Sequence, residues 1–256
     1  MSLPLRRTGL NLTTPFSFSC AQCLRCCRHK KIQVNPYEIA RLAANRGLST
    51  TDFIDNFTHD GGTVLNWEDD GACVFLNAKG CGVHPDRPLV CRLYPLGRHV
   101  LASGAESYSE IEPHEGCSGV YSDSGTISTY LDAQGARPFM AAADNYLALL
   151  WRLCQILEQE AGEPDKENAI IVVFQQSTDG ARGGDSGFAD VDAIVAAYCE
   201  KLSIAAPKSL DDRMLTHIMA VEAWAKTSAG RQNHENQTRQ GTTTKGPGTK
   251  LLKADR

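Results

Sequence analysis

The chain has 256 residues, 42% of them hydrophobic and 22% charged, with a formal net charge of −4. That length suffices to bury a core, and the composition is ordinary for a soluble protein. No window approaches the roughly 20 apolar residues of a membrane span. The stretch after Arg6-Arg7 is broken by Asn11, Thr13, Thr14 and Pro15, so no signal peptide is expected and a cytoplasmic setting is.

Residues 1–15 read as an N-terminal arm. Cys20-Ala-Gln-Cys23-Leu-Arg-Cys26-Cys27 follows, four thiols within one C-x2-C-x2-C-C run. Such a cluster binds metal, carries redox chemistry or forms disulfides; a reducing cytosol disfavours the last. Asn35-Pro36-Tyr37-Glu38 predicts a helix start with an Asn cap, Pro at the first helical position and Glu three residues after the cap. Ile39, Leu42 and Ala43 share its inner face and Gly47 ends it. Ser49-Thr50-Thr51-Asp52 predicts a second short helix with Phe53, Ile54 and Phe57 inward.

Ala72 to Leu76, the turn Asn77-Ala-Lys-Gly80 and Cys81 to His84 predict a hairpin with a cysteine, Cys73 or Cys81, on each arm. Leu89 to Tyr94 fits one helical turn ended by Pro95, and a short polar segment leads to Cys117. Beyond about residue 125 the pattern turns helical. Phe139 to Gly162 is amphipathic, with Tyr146, Leu150, Leu153 and Leu157 on one stripe. Residues 169–174 read as a buried strand or a helix segment, and Ala189–Leu202 and Leu210–Lys226 as helices. Cys154 and Cys199 fall in apolar patterns and read as core thiols. From Ser228 the chain is polar and is expected to be disordered. The expected fold class is α+β: a small irregular cysteine domain over 16–125 with short helices and a hairpin, stabilised by metal, then a mostly helical region over 126–227 and a tail over 228–256.

Eight of the ten cysteines lie between residues 20 and 117: Cys20, Cys23, Cys26, Cys27, Cys73, Cys81, Cys91 and Cys117. C-x2-C lets two thiolates chelate one ion from a tight turn, and six further thiols in the same stretch make metal binding the leading reading. Zinc takes tetrahedral thiolates and iron-sulfur clusters are held by four cysteines. The ferredoxin run C-x2-C-x2-C-x3-C-P is matched only in its first three cysteines, so a [4Fe-4S] cluster stays open without that pattern. The adjacent Cys26 and Cys27 suggest two sites, or one ligand beside a structural or labile thiol.

The first fifty residues carry eight Lys or Arg against Glu38 alone, and residues 228–256 carry six against Glu235 and Asp255. No aromatic-basic motif accompanies them, so nucleic acid is not an expected partner. A four-thiolate zinc site of net charge about −2 is the nearer counterpart for Arg25, Arg28, Lys30 and Lys31; a protein partner stays open. Arg87 and Arg92 flank Cys91. They either stabilise thiolates, a cluster or an anionic ligand, or bridge to surface acids. His84 and His29, close to Cys81 and Cys27, are secondary ligand candidates. His59, His99, His114 and His217 read as ordinary. The glycine-rich stretch 180–187 has neither phosphate-loop spacing nor a following Lys, and reads as a linker.

Cys20-x2-Cys23-x2-Cys26-Cys27, Cys73-Val-Phe-Leu, Cys81-x5-Arg87-Pro88-x2-Cys91-Arg92-x2-Pro95 and Cys117-x-Gly119 together resemble the bacterial cysteine-cluster family of zinc- or iron-chelating proteins (YkgJ type, CxxCxxCC). The resemblance covers roughly residues 16–125. It implies a chelating domain with the eight cysteines as ligands, in a structural or sensing role. A similar domain occurs in flagellin lysine methylases, which implies a cluster-dependent enzyme as the alternative, beside a thiol redox protein; catalytic residues are not identifiable. Leu24 stands where the family often has Gly, His84 where it favours Tyr and Ser118 where Pro is usual, which bears on loop geometry more than on ligation.

Overall fold

A computed structural model describes residues 5–21, 23–101, 103–161 and 187–241, without the side chains of 157–161 and 228–241. The expected strand or helix at 169–174 and all but the last glycine of the 180–187 stretch lie outside the described residues. The fold is α+β: seven α-helices with four small antiparallel sheets among the described residues. None of these helices is long and apolar enough to cross a membrane.

The N-terminal stretch is β1 (Leu5–Leu10), the edge of a three-stranded sheet with β8 (Glu106–Ile111) and β7 (Leu96–Val100). Strand β2 (Pro15–Ser19) buries Phe16 and Phe18 on one face, the period-two pattern of a half-buried strand. It pairs with β9 (Val120–Thr126), Ser19 opposite Val120. The two phenylalanines pack with Tyr108, Ile127, Tyr130 and Leu131, the last three from α4 (Ile127–Ala133).

Helix α1 (Pro36–Arg46) starts as the sequence predicts. Asn35 Oδ1 accepts from Glu38 N–H and Glu38 returns the bond to Asn35 N–H, while Gly47 ends the helix at φ 69°. Ser49 caps α2 (Thr50–Phe57), after which β3 (Thr58–His59) pairs antiparallel with β4 (Val64–Leu65). The inner faces of α1 and α2, Ile39, Leu42, Phe53 and Ile54, close a second core with Leu65, Phe75 and Val83.

The predicted hairpin is present but shorter than expected. Its arms, β5 (Leu76–Asn77) and β6 (Gly80–Cys81), hold two residues each. Cys81 sits on an arm opposite Leu76, but Cys73 does not. It is drawn instead into isolated bridges: its N–H donates to the Cys27 carbonyl (2.9 Å) and it faces Trp67. Helix α3 (Leu89–Leu93) is the predicted single turn, followed by a cis Tyr94–Pro95 bond.

Helix α5 (Arg137–Ala161) packs on α7 (Leu210–Gly241). Its buried seam is Phe139, Ala142, Tyr146, Leu149 and Leu153 against Met214, Ile218 and Val221. Leu149 rather than Leu150 is fully buried, because the seam advances by alternating steps of three and four. Helix α6 (Val191–Leu202) buries Val191, Val195 and Cys199 against Ala40 of α1. Asp190 caps α6 and accepts from the hydroxyls of Thr50 (2.7 Å) and Thr51 (2.6 Å), tying α6 to α2. Cys154 and Cys199 are buried, as their apolar surroundings predict. Helix α7 continues past Ser228 into the stretch expected to be disordered. Residues 231–240 hold three Gln and two Arg and no Gly or Pro, a composition compatible with a continuing helix. Residues 242–256 lie outside the described ones.

Candidate metal centre

Two backbone ladders bring distant cysteines together. The β2–β9 register pairs Ser17 with Ser122, Phe18 with Tyr121 and Ser19 with Val120. Prolonged past Ser19, it carries Cys20 and Cys23 toward the segment that holds Cys117. Gly119 makes this closure possible, because a Cβ there would come within 2.3 Å of the Phe18 ring. The Cys23 thiol lies within reach of Cys117 and of Ser118, which offers it both a backbone N–H and a hydroxyl. Proline at position 118 would offer neither.

The second ladder starts at Cys27. Cys73 N–H donates to Cys27 O, Arg28 bridges Ala72, and His29 N–H donates to Gly71 O (2.8 Å). Gly71 must lack a side chain, since a Cβ would sit 2.2 Å from the His29 ring. The hairpin turns Cys81 back toward this ladder, and α3 supplies Cys91. Cys26 and Cys27 share a 3-10 turn begun by Leu24 at φ 63°, and their sulfurs stand 4.0 Å apart.

Helix α3 is held by two groups that sequence reasoning gave other roles. Glu38, read only as a capping residue, is buried and also accepts from Leu89 N–H (2.6 Å) at the start of α3. Burial pushes its carboxyl up to about 7, against the pull of the Leu89 and Asn35 N–H groups and of Arg92. Arg92 is buried with its guanidinium over the Phe139 ring (3.9 Å); it donates to the carbonyls of Arg87 (2.9 Å), Gln134 (2.8 Å) and Pro85. Its charge is therefore used on backbone oxygens, and burial lowers its pKa to about 10. Arg87 donates to the His84 carbonyl (2.8 Å) and Gln134 Oε1 (2.7 Å), and its charge favours the Cys81 thiolate.

The cation common to the thiols is Lys30. It interacts with Cys26, Cys91, Cys27 and Cys117 and lies over the Tyr94 ring (4.2 Å), while burial lowers its pKa. The sequence marked it as one of several flanking bases; only the fold turns it toward the thiols. The Cys27 thiol donates toward Cys26, which with Lys30 pulls the Cys26 thiol down to about 6 against the effect of burial, while Cys27 moves up. The N–H of Arg25, then that of Ser118, lowers Cys23. Burial raises Cys73, Cys81, Cys91 and Cys117. Cys91 is crowded by Cys73, Cys81, Cys26 and Glu38, and the residue is exposed.

Cys23, Cys26, Cys27, Cys73, Cys81, Cys91 and Cys117 are free thiols. Among the described residues no three His, Cys, Asp or Glu side chains stand close enough to hold an ion; the backbone ladders gather the thiols without closing a coordination shell. The donor chemistry fits zinc or iron, since soft thiolates dominate the set and Lys30 offsets their charge. His84 lies 3.4 Å from the Arg87 guanidinium and has a lowered pKa, through burial first and then Arg87 and Arg92. His29 packs on Gly71.

Residues 19–117, under half of the chain but all eight clustered cysteines, match the family model "CxxCxxCC: Putative zinc- or iron-chelating domain". No curated protein and no solved structure matches the chain.

Proposed function

We propose that this is a cytoplasmic metal-chelating protein that holds zinc, or iron as an iron-sulfur cluster, through Cys20, Cys23, Cys26, Cys27, Cys73, Cys81, Cys91 and Cys117. Residues 16–125 form the chelating unit, in a structural or sensing role. The observation that supports this most is the gathering of four thiols from three separate segments around Lys30, in a stretch that matches a chelating family. Thiols raised by burial become favourable once an ion replaces their protons, because metal binding releases those protons. A bound ion would cross-link segments that otherwise meet through a few backbone hydrogen bonds. Arg87 acts around Cys81, and Arg92 and Glu38 fix α3 so that Cys91 faces the other thiols.

Anaerobic purification, elemental analysis and a visible absorption spectrum test the reading. Iron with a broad visible band selects the cluster; colourless zinc selects the tetrahedral thiolate site. A chain that takes up neither metal, with its thiols free or paired, would overturn it.

A further inference from the structure

The vicinal pair Cys26-Cys27 lies where the two ladders meet. Its sulfur separation of 4.0 Å does not decide how the ligands divide. The edge of one tetrahedral thiolate site, with Zn–S near 2.3 Å, is itself about 3.8 Å. The neighbours of the other thiols fall into two groups, with Cys26 between them, since it also interacts with Cys81 and Cys91.

On one side, Cys117 interacts with Cys23 and Cys26, and the β2–β9 register leads Cys20 to the same end of the ribbon. Cys20, Cys23 and Cys26 recur every third residue, so one compact turn can present all three. On the other side, Cys27 is hydrogen-bonded through its carbonyl to Cys73 N–H and interacts with Cys81 and Cys91. Cys91 in turn has Cys73 and Cys81 as its foremost charged neighbours. Each group holds four thiols, the number that a closed tetrahedral site takes. The charge balance agrees. Lys30 reaches members of both groups, Arg25 packs against Gly116 beside the first, and Arg87 favours Cys81 in the second. Among the described residues none of these three cations pairs with a carboxylate.

We infer that the chain builds two adjacent four-thiol metal centres, Cys20, Cys23, Cys26 and Cys117 in one and Cys27, Cys73, Cys81 and Cys91 in the other, with Lys30 between them. This rests on the chelating reading and adds its stoichiometry and ligand partition. It makes the Cys26-Cys27 peptide the shortest covalent link between the two ligand sets.

The full chain, stripped and reloaded anaerobically with Zn2+, is weighed intact by native mass spectrometry; two zinc ions per chain are expected. Cadmium NMR of the same chain loaded with Cd2+ should give two resonances, with no variant needed. The double variant Cys23→Ser/Cys117→Ser should lose one ion and keep the other, as should Cys73→Ser/Cys81→Ser, and the two together should bind none. Cys26→Ser should weaken the ion that the first pair removes, and Cys27→Ser the other. A single zinc per chain, one cadmium resonance, or loss of both ions in either double variant that keeps its helical circular dichroism overturns the partition. A wild-type chain that binds neither zinc nor iron overturns the chelating reading instead.

Discussion

Helices α5 and α7 and the cysteine-bearing segments keep their shapes by different means. In the helical layer Phe139, Tyr146, Leu149 and Leu153 interdigitate with Met214, Ile218 and Val221, and its buried polar group is satisfied: Tyr146 Oη lies 3.2 Å from His217 Nδ1, while His217 Nε2 meets the Phe188 carbonyl at 3.0 Å. The cysteine-bearing segments have two-residue strands, one-turn helices and isolated bridges. Two of the non-glycine residues there, Leu24 and His29, sit at positive φ. On the chelating reading a bound ion would reinforce such a region beyond its apolar contacts, as in small metal domains. The comparison sets apolar packing against the reinforcement that the proposal assigns to an ion.

Removing the metal should therefore affect the two regions unequally, and this is the largest effect expected. Structural zinc is worth on the order of 10 kcal/mol in small domains. After chelation, hydrogen exchange at Cys73 N–H and His29 N–H should accelerate strongly, while α5 and the part of α7 packed against it keep their protection. Equal loss of protection in both would show one cooperative unit and end the comparison.

The converse perturbation is Leu149→Ala. Leu149 is fully buried between α5 and α7, so truncation should cost about 2–5 kcal/mol. Denaturant titration should find that loss with or without metal, at unchanged metal content. Cys154→Ser, also in α5, should likewise leave metal content unchanged, whereas Cys23→Ser or Cys91→Ser should lower it. Equal loss of metal in all three cysteine variants would sink the ligand assignment.

Acid separates the regions as well. Burial lowers the His217 pKa to about 4, opposed by the Phe188 carbonyl and the charge of Asp190. The unfolded chain protonates this histidine near 6.5, so between those values it binds more protons than the folded one. Stability is thus full above about pH 6.5 and falls as the pH drops toward 4, by about 3 kcal/mol from this group. In metal-free protein, His217→Gln should flatten that part of the profile; urea midpoints near pH 7 and near pH 4.5 would read it. A variant with the same acid dependence as the parent would remove His217 as the cause.

Much of the helical scaffold was legible because its signals are local. Asn35, Pro36 and Glu38 declare a capping box, Gly47 a left-handed end, and Tyr146 and Leu153 a stripe of helical period. The clustered thiols were legible as a set, since cysteines at C-x2-C spacing announce themselves. Their arrangement was not. That Cys73 lies against Cys27 rather than on a hairpin arm follows from a long-range bridge, and nothing local to Ala72–Leu76 encodes it. For the same reason Lys30 could not be told from Arg25, Arg28 and Lys31 as a counter-charge, nor Glu38 from a plain cap, until α3 and Tyr94 are folded against them. Ser118 could have been found, because a residue that keeps its N–H where proline is usual invites the question of what it donates to.

The smallest effect concerns backbone strain, and it should change sign between the two regions. Leu24 holds φ 63° at the start of the turn that presents Cys26 and Cys27. An L-residue there costs roughly 1–2 kcal/mol, most of which glycine avoids, at the expense of roughly 0.5–1 kcal/mol of extra freedom lost on folding. Leu24→Gly should therefore be neutral to about 1 kcal/mol stabilising in the metal-loaded chain, with unchanged metal content. Ala141→Gly, on the exposed side of α5, makes the same kind of change in an unstrained helix and should cost about 1 kcal/mol. Thermal melts of the two variants beside the parent check the pair. If Leu24→Gly proves as destabilising as Ala141→Gly, the leucine side chain, which reaches toward Gly80, contributes packing that outweighs its strain, and the turn that carries Cys26 and Cys27 is held by apolar contact as the helices are.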